Sequence, residues 1–180
     1  MDDIVLQAMV KWPNVPDCYG WLGLDNRGNW YMRDDRAQAA GAFASGQPGA
    51  KGSLLQHDKL IEFIGRNYGP DATGCWFFQN GPQRVFVELQ AAPLIWRVQP
   101  DLSVKDHIGR SAQVQSCWLD ELGHLFLAAD TGLGLVHTQD MTLAAEAVER
   151  GLWVPQEVAS QDLPGKFGFV QSPGSRSSSA

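Results

Sequence analysis

The side chains able to do chemistry in this sequence are few and scattered. Its three cysteines, Cys18, Cys75 and Cys117, are odd in number and lack Cys-x-x-Cys spacing. Neither a disulfide framework nor a zinc knuckle is written in them, so free thiols are expected. His57, His107, His124 and His137 show no His-x-x-x-His or Glu-flanked spacing, and no metal centre is expected from them. His57 reads as a hydrogen-bonded core histidine. Cys75 and Cys117 read as small buried hydrophobes, with a nucleophile pair of Cys117 and His124 as the alternative. No Gly-x-Ser-x-Gly elbow occurs, and the glycine-rich stretches 131–135 and 46–52 lack the residue order that cradles a phosphate. No cofactor is expected.

The polar residues that do converge lie at one turn. Gln79, Asn80, Gln83 and Arg84 surround the reversal at Gly81-Pro82, and Arg84 offers a planar fork for a carboxylate or phosphate. Asn14, Asp17 and Tyr19 complete this candidate ligand site if the arm that carries them crosses it. The alternative is that these side chains satisfy turn backbone and solvent. A second pattern, Asp-x-x-Gly-x followed by a large apolar residue, occurs at Asp25, Asp71 and Asp120, spaced by 46 and 49 residues. The carboxylate caps a turn and the glycine takes the left-handed position that closes a hairpin. Calcium would need more oxygen ligands than these loops supply.

Elements must position these groups. The centre of the chain is a hairpin whose second strand alternates, Val85, Val87 and Leu89 on one face and Arg84, Phe86 and Glu88 on the other. A first hairpin is expected over 21–32 and a three-strand meander over 112–137. A helix over about 54–67 starts at a Ser53-x-x-Gln56 capping box and ends at Gly69-Pro70, and a second spans about 140–150. The prolines of 12–20 make an extended arm. The expectation is an α+β fold of about seven to nine short strands in antiparallel hairpins and meanders. It forms one domain over 11–151, built as two hairpin-plus-helix parts, about 11–98 and 99–151. Residues 33–52, rich in Ala, Gly and Ser, are expected as a flexible loop and 152–180 as an extension whose last ten residues are disordered. The first eight residues are expected to be dispensable.

Several segments carry a resemblance. Trp12-Pro-Asn-Val-Pro-x-Cys-Tyr-Gly-Trp21, Arg27-Gly-Asn-Trp30, Phe63-Ile-Gly-Arg-Asn-Tyr68 and Trp76-Phe-Phe-Gln-Asn-Gly-Pro-Gln-Arg-Val85 resemble a small family of uncharacterised proteobacterial proteins of unknown function. The resemblance covers roughly 11–151, which makes the tail beyond Gly151 private to this protein. Val87, Glu88 and Pro93 are more weakly similar to another uncharacterised bacterial family with duplicated strand-and-helix units, for which fold implies a signalling or ligand-sensing role. Neither resemblance brings a catalytic residue.

Whole-chain properties narrow the function further. The chain has 180 residues, a net charge of −6 and 19% charged residues, which argues against a phosphate-binding face and hence against nucleic acid as partner. No basic, apolar leader opens it and no apolar run reaches about 18 residues, so a cytoplasmic protein without a membrane partner is expected. The first reading is a non-enzymatic ligand- or protein-binding regulatory module, possible as a homodimer paired by sheet edges. The second is an enzyme of unrecognised type using Arg84 with Cys75, Cys117 or a histidine. An enzyme would gather titratable groups in a deep pocket, and a binding module would show an exposed apolar groove or sheet edge.

Overall fold

The computed structural model describes residues 1–177. They form an α+β fold with thirteen strands in two mixed sheets. Each sheet centres its own compact unit, the first made of 1–25, 29–90 and the chain from 169, the second of 26–28 and 91–168.

In the first unit the chain runs α1 (Asp3–Lys11), β1 (Cys18–Leu24), β2 (Trp30–Met32), α2 (Asp35–Ala40), β3 (Ser53–Leu54), α3 (Asp58–Arg66), β4 (Tyr68–Pro70), β5 (Trp76–Asn80) and β6 (Gln83–Leu89). The sheet order is β3-β2-β1-β6-β5-β4. The central hairpin forms as the alternation requires, with Phe78 opposite Val85 and Phe77 opposite Phe86. Its partner is β1, which lies parallel to β6, pairing Leu22 with Val87 and Leu24 with Leu89. α3 covers one face of this sheet, its Phe63 edge-on to Phe78 at 5.5 Å. Tyr68 stands edge-on to Trp30 and tilted against Trp76 in the same core.

The helix over 54–67 is corrected at its start. Ser53 and Leu54 pair with β2, and the cap is His57, whose Nδ1 accepts from Leu60 N at 3.3 Å. His57 is therefore an exposed cap and not a core histidine. The first residues, expected to be dispensable, are ordered. They form α1, with Val5 buried, Asp2 N donating to Asn67 Oδ1 at 2.8 Å and Asp2 paired with Arg66.

The 33–52 stretch, expected as a flexible loop, is held by a buried arginine. Arg33 Nε donates to Ala50 O at 2.8 Å, Nη1 to Gly20 O at 3.2 Å, and Nη2 to Gly41 O at 2.6 Å and Ala37 O at 3.4 Å. Burial pulls the Arg33 pKa down, and nearby Glu88 opposes that shift. Phe43 is 2% exposed and lies where Gly23 has no side chain; a Cβ there would meet its ring at 2.5 Å. One aromatic and one guanidinium thus order a segment poor in apolar residues.

The tail is also corrected within the described residues. Gln171 O accepts from Leu89 N at 2.9 Å, and Glu88 accepts from Ser172 Oγ at 2.5 Å and Gly174 N at 3.0 Å. A short helical turn, Gly174–Ser177, follows. The rest of the expected disordered segment, 178–180, lies outside the described residues.

The second unit contains β7 (Leu94–Val98), β8 (Val104–Asp106), β9 (Ser111–Ala112), β10 (Val114–Leu119), β11 (Leu125–Ala129), β12 (Gly132–Val136), α4 (Met141–Glu149), β13 (Pro155–Glu157) and α5 (Leu163–Phe167). The expected meander is β10-β11-β12, inside a sheet of order β13-β10-β11-β12-β7-β8-β9. Two of its pairings, β7 with β12 and β10 with β13, are parallel, so neither sheet is purely antiparallel. Trp96 is fully buried and donates its Nε1 to Leu127 O at 2.8 Å.

Candidate functional site

The arm and the central hairpin do meet. Arg84 Nε donates to Asp17 Oδ1 at 2.8 Å and Nη2 to Asp17 Oδ2 at 2.5 Å, while Gln83 Nε2 donates to Pro16 O at 3.0 Å. Tyr19 stacks flat on Phe86, ring centres 4.7 Å apart, and the guanidinium lies over Phe86 and Phe77. Donating to the Asp17 carboxylate raises the Arg84 pKa above its ordinary value. The fork that a ligand carboxylate would need is thus filled by the chain's own aspartate. Asn14 is exposed on the arm.

Strand pleating also divides the polar cluster. Cross-strand partners share a face, and the register pairs Gln79 with Arg84 and Asn80 with Gln83. Gln79 is buried and donates its Nε2 to Gly81 O at 2.9 Å. Asn80 lies on the other face, with Phe78 and Val85.

On that other face is a groove of about 280 Å³, lined mostly by Trp21, Leu22, Met32, Leu60, Phe78 and Val85, with Cys18 and Asn80 as its polar members. It lies where the short α3 stops covering the sheet. Trp21 and Met32 are 40% and 48% exposed. Leu22 and Met32 face each other across β1 and β2, which makes the floor continuous. Burial pushes the Cys18 thiol up, keeping it protonated and uncharged at neutral pH. Of the residues expected at a site, Asn80 alone lines this groove. The signal that would have found the rest was the aromatic and aliphatic content of β1 and β2 read as a surface.

The other chemically interesting side chains have local partners. Cys117 is buried within β10 and its pKa is pushed up to about 11 by burial, which makes it an inert thiol. His124, considered as its base, directs Nδ1 to Asp120 Oδ2 at 2.9 Å. His137 Nδ1 accepts from Gln139 N at 3.1 Å, and His107 Nδ1 from Ile95 N at 3.3 Å. Among the described residues no group of three or more His, Cys, Asp and Glu could hold a metal ion.

The Asp-x-x-Gly motifs are turns of one design. Gly28, Gly74 and Gly123 sit at φ +81, +82 and +79°. In each, the Asp N donates to the carbonyl four residues on, and Asp Oδ1 accepts from that residue's N, Asn29 at 2.9 Å, Cys75 at 3.0 Å and His124 at 2.7 Å. A fourth copy, Asp106 to Arg110 with Gly109 at φ +88°, has the same bonds. It escaped notice because Ser111 follows where the others have a large apolar residue. At Asp71, burial raises the pKa but hydrogen bonds from Thr73 and Cys75 outweigh it and hold the carboxyl low.

Known proteins place the chain without giving it a function. No curated protein matches it. The structure is similar to the crystal structure of a DUF1285 family protein from Silicibacter pomeroyi, with 11% identity over 74% of this chain and 72% of that one and a TM-score of 0.49. The model of the family DUF2944, described as "Protein of unknown function (DUF2946)", matches residues 1–174. That span reaches beyond 11–151 at both ends, so neither the first residues nor the tail to 174 is private to this chain. By this match the chain belongs to the DUF2944 family of proteins of unknown function.

Proposed function

We propose that the first unit is a non-enzymatic binding module that takes a small apolar or amphipathic molecule in the groove between α3 and the sheet. One observation carries this reading: the groove is walled by aromatic and aliphatic side chains, two of them large and solvent-exposed, with an amide at its rim. Its volume of about 280 Å³ falls just below the roughly 300–1,000 Å³ of drug-sized ligand pockets, which limits the occupant to a small molecule. Asn80 would orient the polar end of an amphipathic ligand by hydrogen bonding. Arg84 with Asp17 then shapes the hairpin and does not meet the ligand. The free thiols of Cys18, Cys75 and Cys117 support a reducing, cytoplasmic setting.

The test uses 1-anilinonaphthalene-8-sulfonate as a fluorescent apolar anion and 1-decanol as its competitor. Saturable one-to-one binding, displaced by decanol and weakened about tenfold or more by Met32→Asp, is expected, a change of about 1.4 kcal/mol. Binding that does not saturate, or that Met32→Asp leaves unchanged, contradicts the reading.

A further inference from the structure

We propose that the outward face of α1 is a self-association surface that receives the same face of a second copy of the chain in antiparallel orientation. The helix is fixed to the first unit by buried Val5 and, at its start, by the contacts of Asp2 with Asn67 and Arg66. Asp3, Ile4, Gln7, Val10 and Lys11 follow the spacing i, i+1, i+4, i+7, i+8 and share one side of the helix. All five are exposed, on the side opposite Val5. A surface helix ordinarily presents charged and polar groups there. Here Ile4 is 71% and Val10 84% exposed.

The order of these residues names the occupant. Counted from Gln7, Ile4 and Val10 lie at equal distances on either side, and so do Asp3 and Lys11, which carry opposite charges. A two-fold axis through Gln7 therefore sets Ile4 of one copy against Val10 of the other, and Asp3 against Lys11 at both ends. A parallel pair would oppose like charges. An isologous two-fold contact needs such self-complementarity, and the charges set its orientation. An anionic lipid surface would be repelled by Asp2, Asp3 and the net charge of −6. Lys11, lying over the Trp12 ring at 4.4 Å, remains at the end of the patch, and Trp12, 51% exposed, borders it. The helix is short, so the area is that of a weak, concentration-dependent dimer. α1 lies inside the stretch matched by the family model.

Sedimentation velocity of the full chain from micromolar to millimolar concentration tests this. The expected result is a dimer at the upper end whose dissociation constant rises about tenfold or more in Lys11→Glu and likewise in Asp3→Lys. Combining the two substitutions restores the charge pairing and returns the constant to within about threefold of the parent. Val10→Ser, which trims only an exposed aliphatic, must also weaken the dimer. A monomer at every concentration, a dimer indifferent to Lys11→Glu, or a combined variant that fails to recover each overturns the proposal.

Discussion

At the scale of single residues, the turn aspartates and their glycines do different amounts of work in different copies. Gly123 has open space where a Cβ would go, so Gly123→Ala carries only the backbone strain of a positive φ, about 1 kcal/mol. Gly28→Ala should cost more, because its Cβ would stand 2.8 Å from His107 Cβ within the second unit. Urea unfolding of the two variants should show that order; equal costs would mean that the second unit yields freely at His107. The carboxylates differ in the same way. Asp106 is 2% exposed and receives Arg110 Nε on Oδ2 at 2.7 Å, so Asp106→Asn sets an amide N–H against a guanidinium. Asp120→Asn faces His124, whose ring can change tautomer to accept. Asp106→Asn is expected to lower the thermal midpoint by several degrees, about 1–2 kcal/mol, and Asp120→Asn by much less. Added calcium should move neither the parent nor the variants. A further aspartate reports on pH. Asp140 accepts from Arg97 at 2.6 and 3.0 Å and from Val98 N at 3.1 Å, and the Arg97 hydrogen bond holds its carboxyl below the usual range. A lowered folded-state pKa contributes stability that is complete above the unfolded value near 3.9 and is lost as pH falls through the folded value. Asp140→Asn should therefore be less stable by about 1–2 kcal/mol at pH 7, the solvent exposure of Arg97 keeping the figure low. The gap should close below about pH 4; a gap that stays constant with pH would sink the assignment.

At the scale of elements, Arg33 decides whether 33–52 is structure or slack. Removing its guanidinium leaves the carbonyls of Gly20, Gly41 and Ala50 without their donor, so Arg33→Met should cost about 3 kcal/mol or more in chemical denaturation. Arg33→Lys should not rescue it, since an ammonium cannot fork to carbonyls on several segments. A loss under about 1 kcal/mol would return the segment to a passive loop. The sequence made 33–52 look unfoldable because its apolar content is low, and average content cannot register one Phe and one Arg placed on partners far along the chain. α1 escaped for a related reason. Its wide spread of Ile, Val, Leu and Met has no single apolar stripe, since only Val5 turns fully inward. By contrast the central hairpin, the 112–137 meander and α4 were legible, because their signals are local alternation, turn residues and helical spacing.

At the scale of the whole molecule, what could not be read was the joining of distant strands. β1 lies parallel to β6, and β7 to β12, through pairings set by burial on both faces and not by any turn between them. Period-two reading gives each strand its faces and leaves its neighbours open. The same gap hid the groove, which exists only because β1, β2, β5 and β6 lie side by side beneath one end of α3. The polar turn residues were legible as a cluster along the chain, but the pleat sends Gln79 and Arg84 to one face and Asn80 to the other. Met32 is the one methionine among four that lines the groove; Met1, Met9 and Met141 lie elsewhere in the chain. Methyl NMR of methionine-labelled protein titrated with 1-anilinonaphthalene-8-sulfonate thus tests the central claim most directly. The binding-groove account predicts a saturable shift of the Met32 methyl, with Met1, Met9 and Met141 nearly still. No shift at Met32, or shifts spread equally over all four methyls, would contradict it.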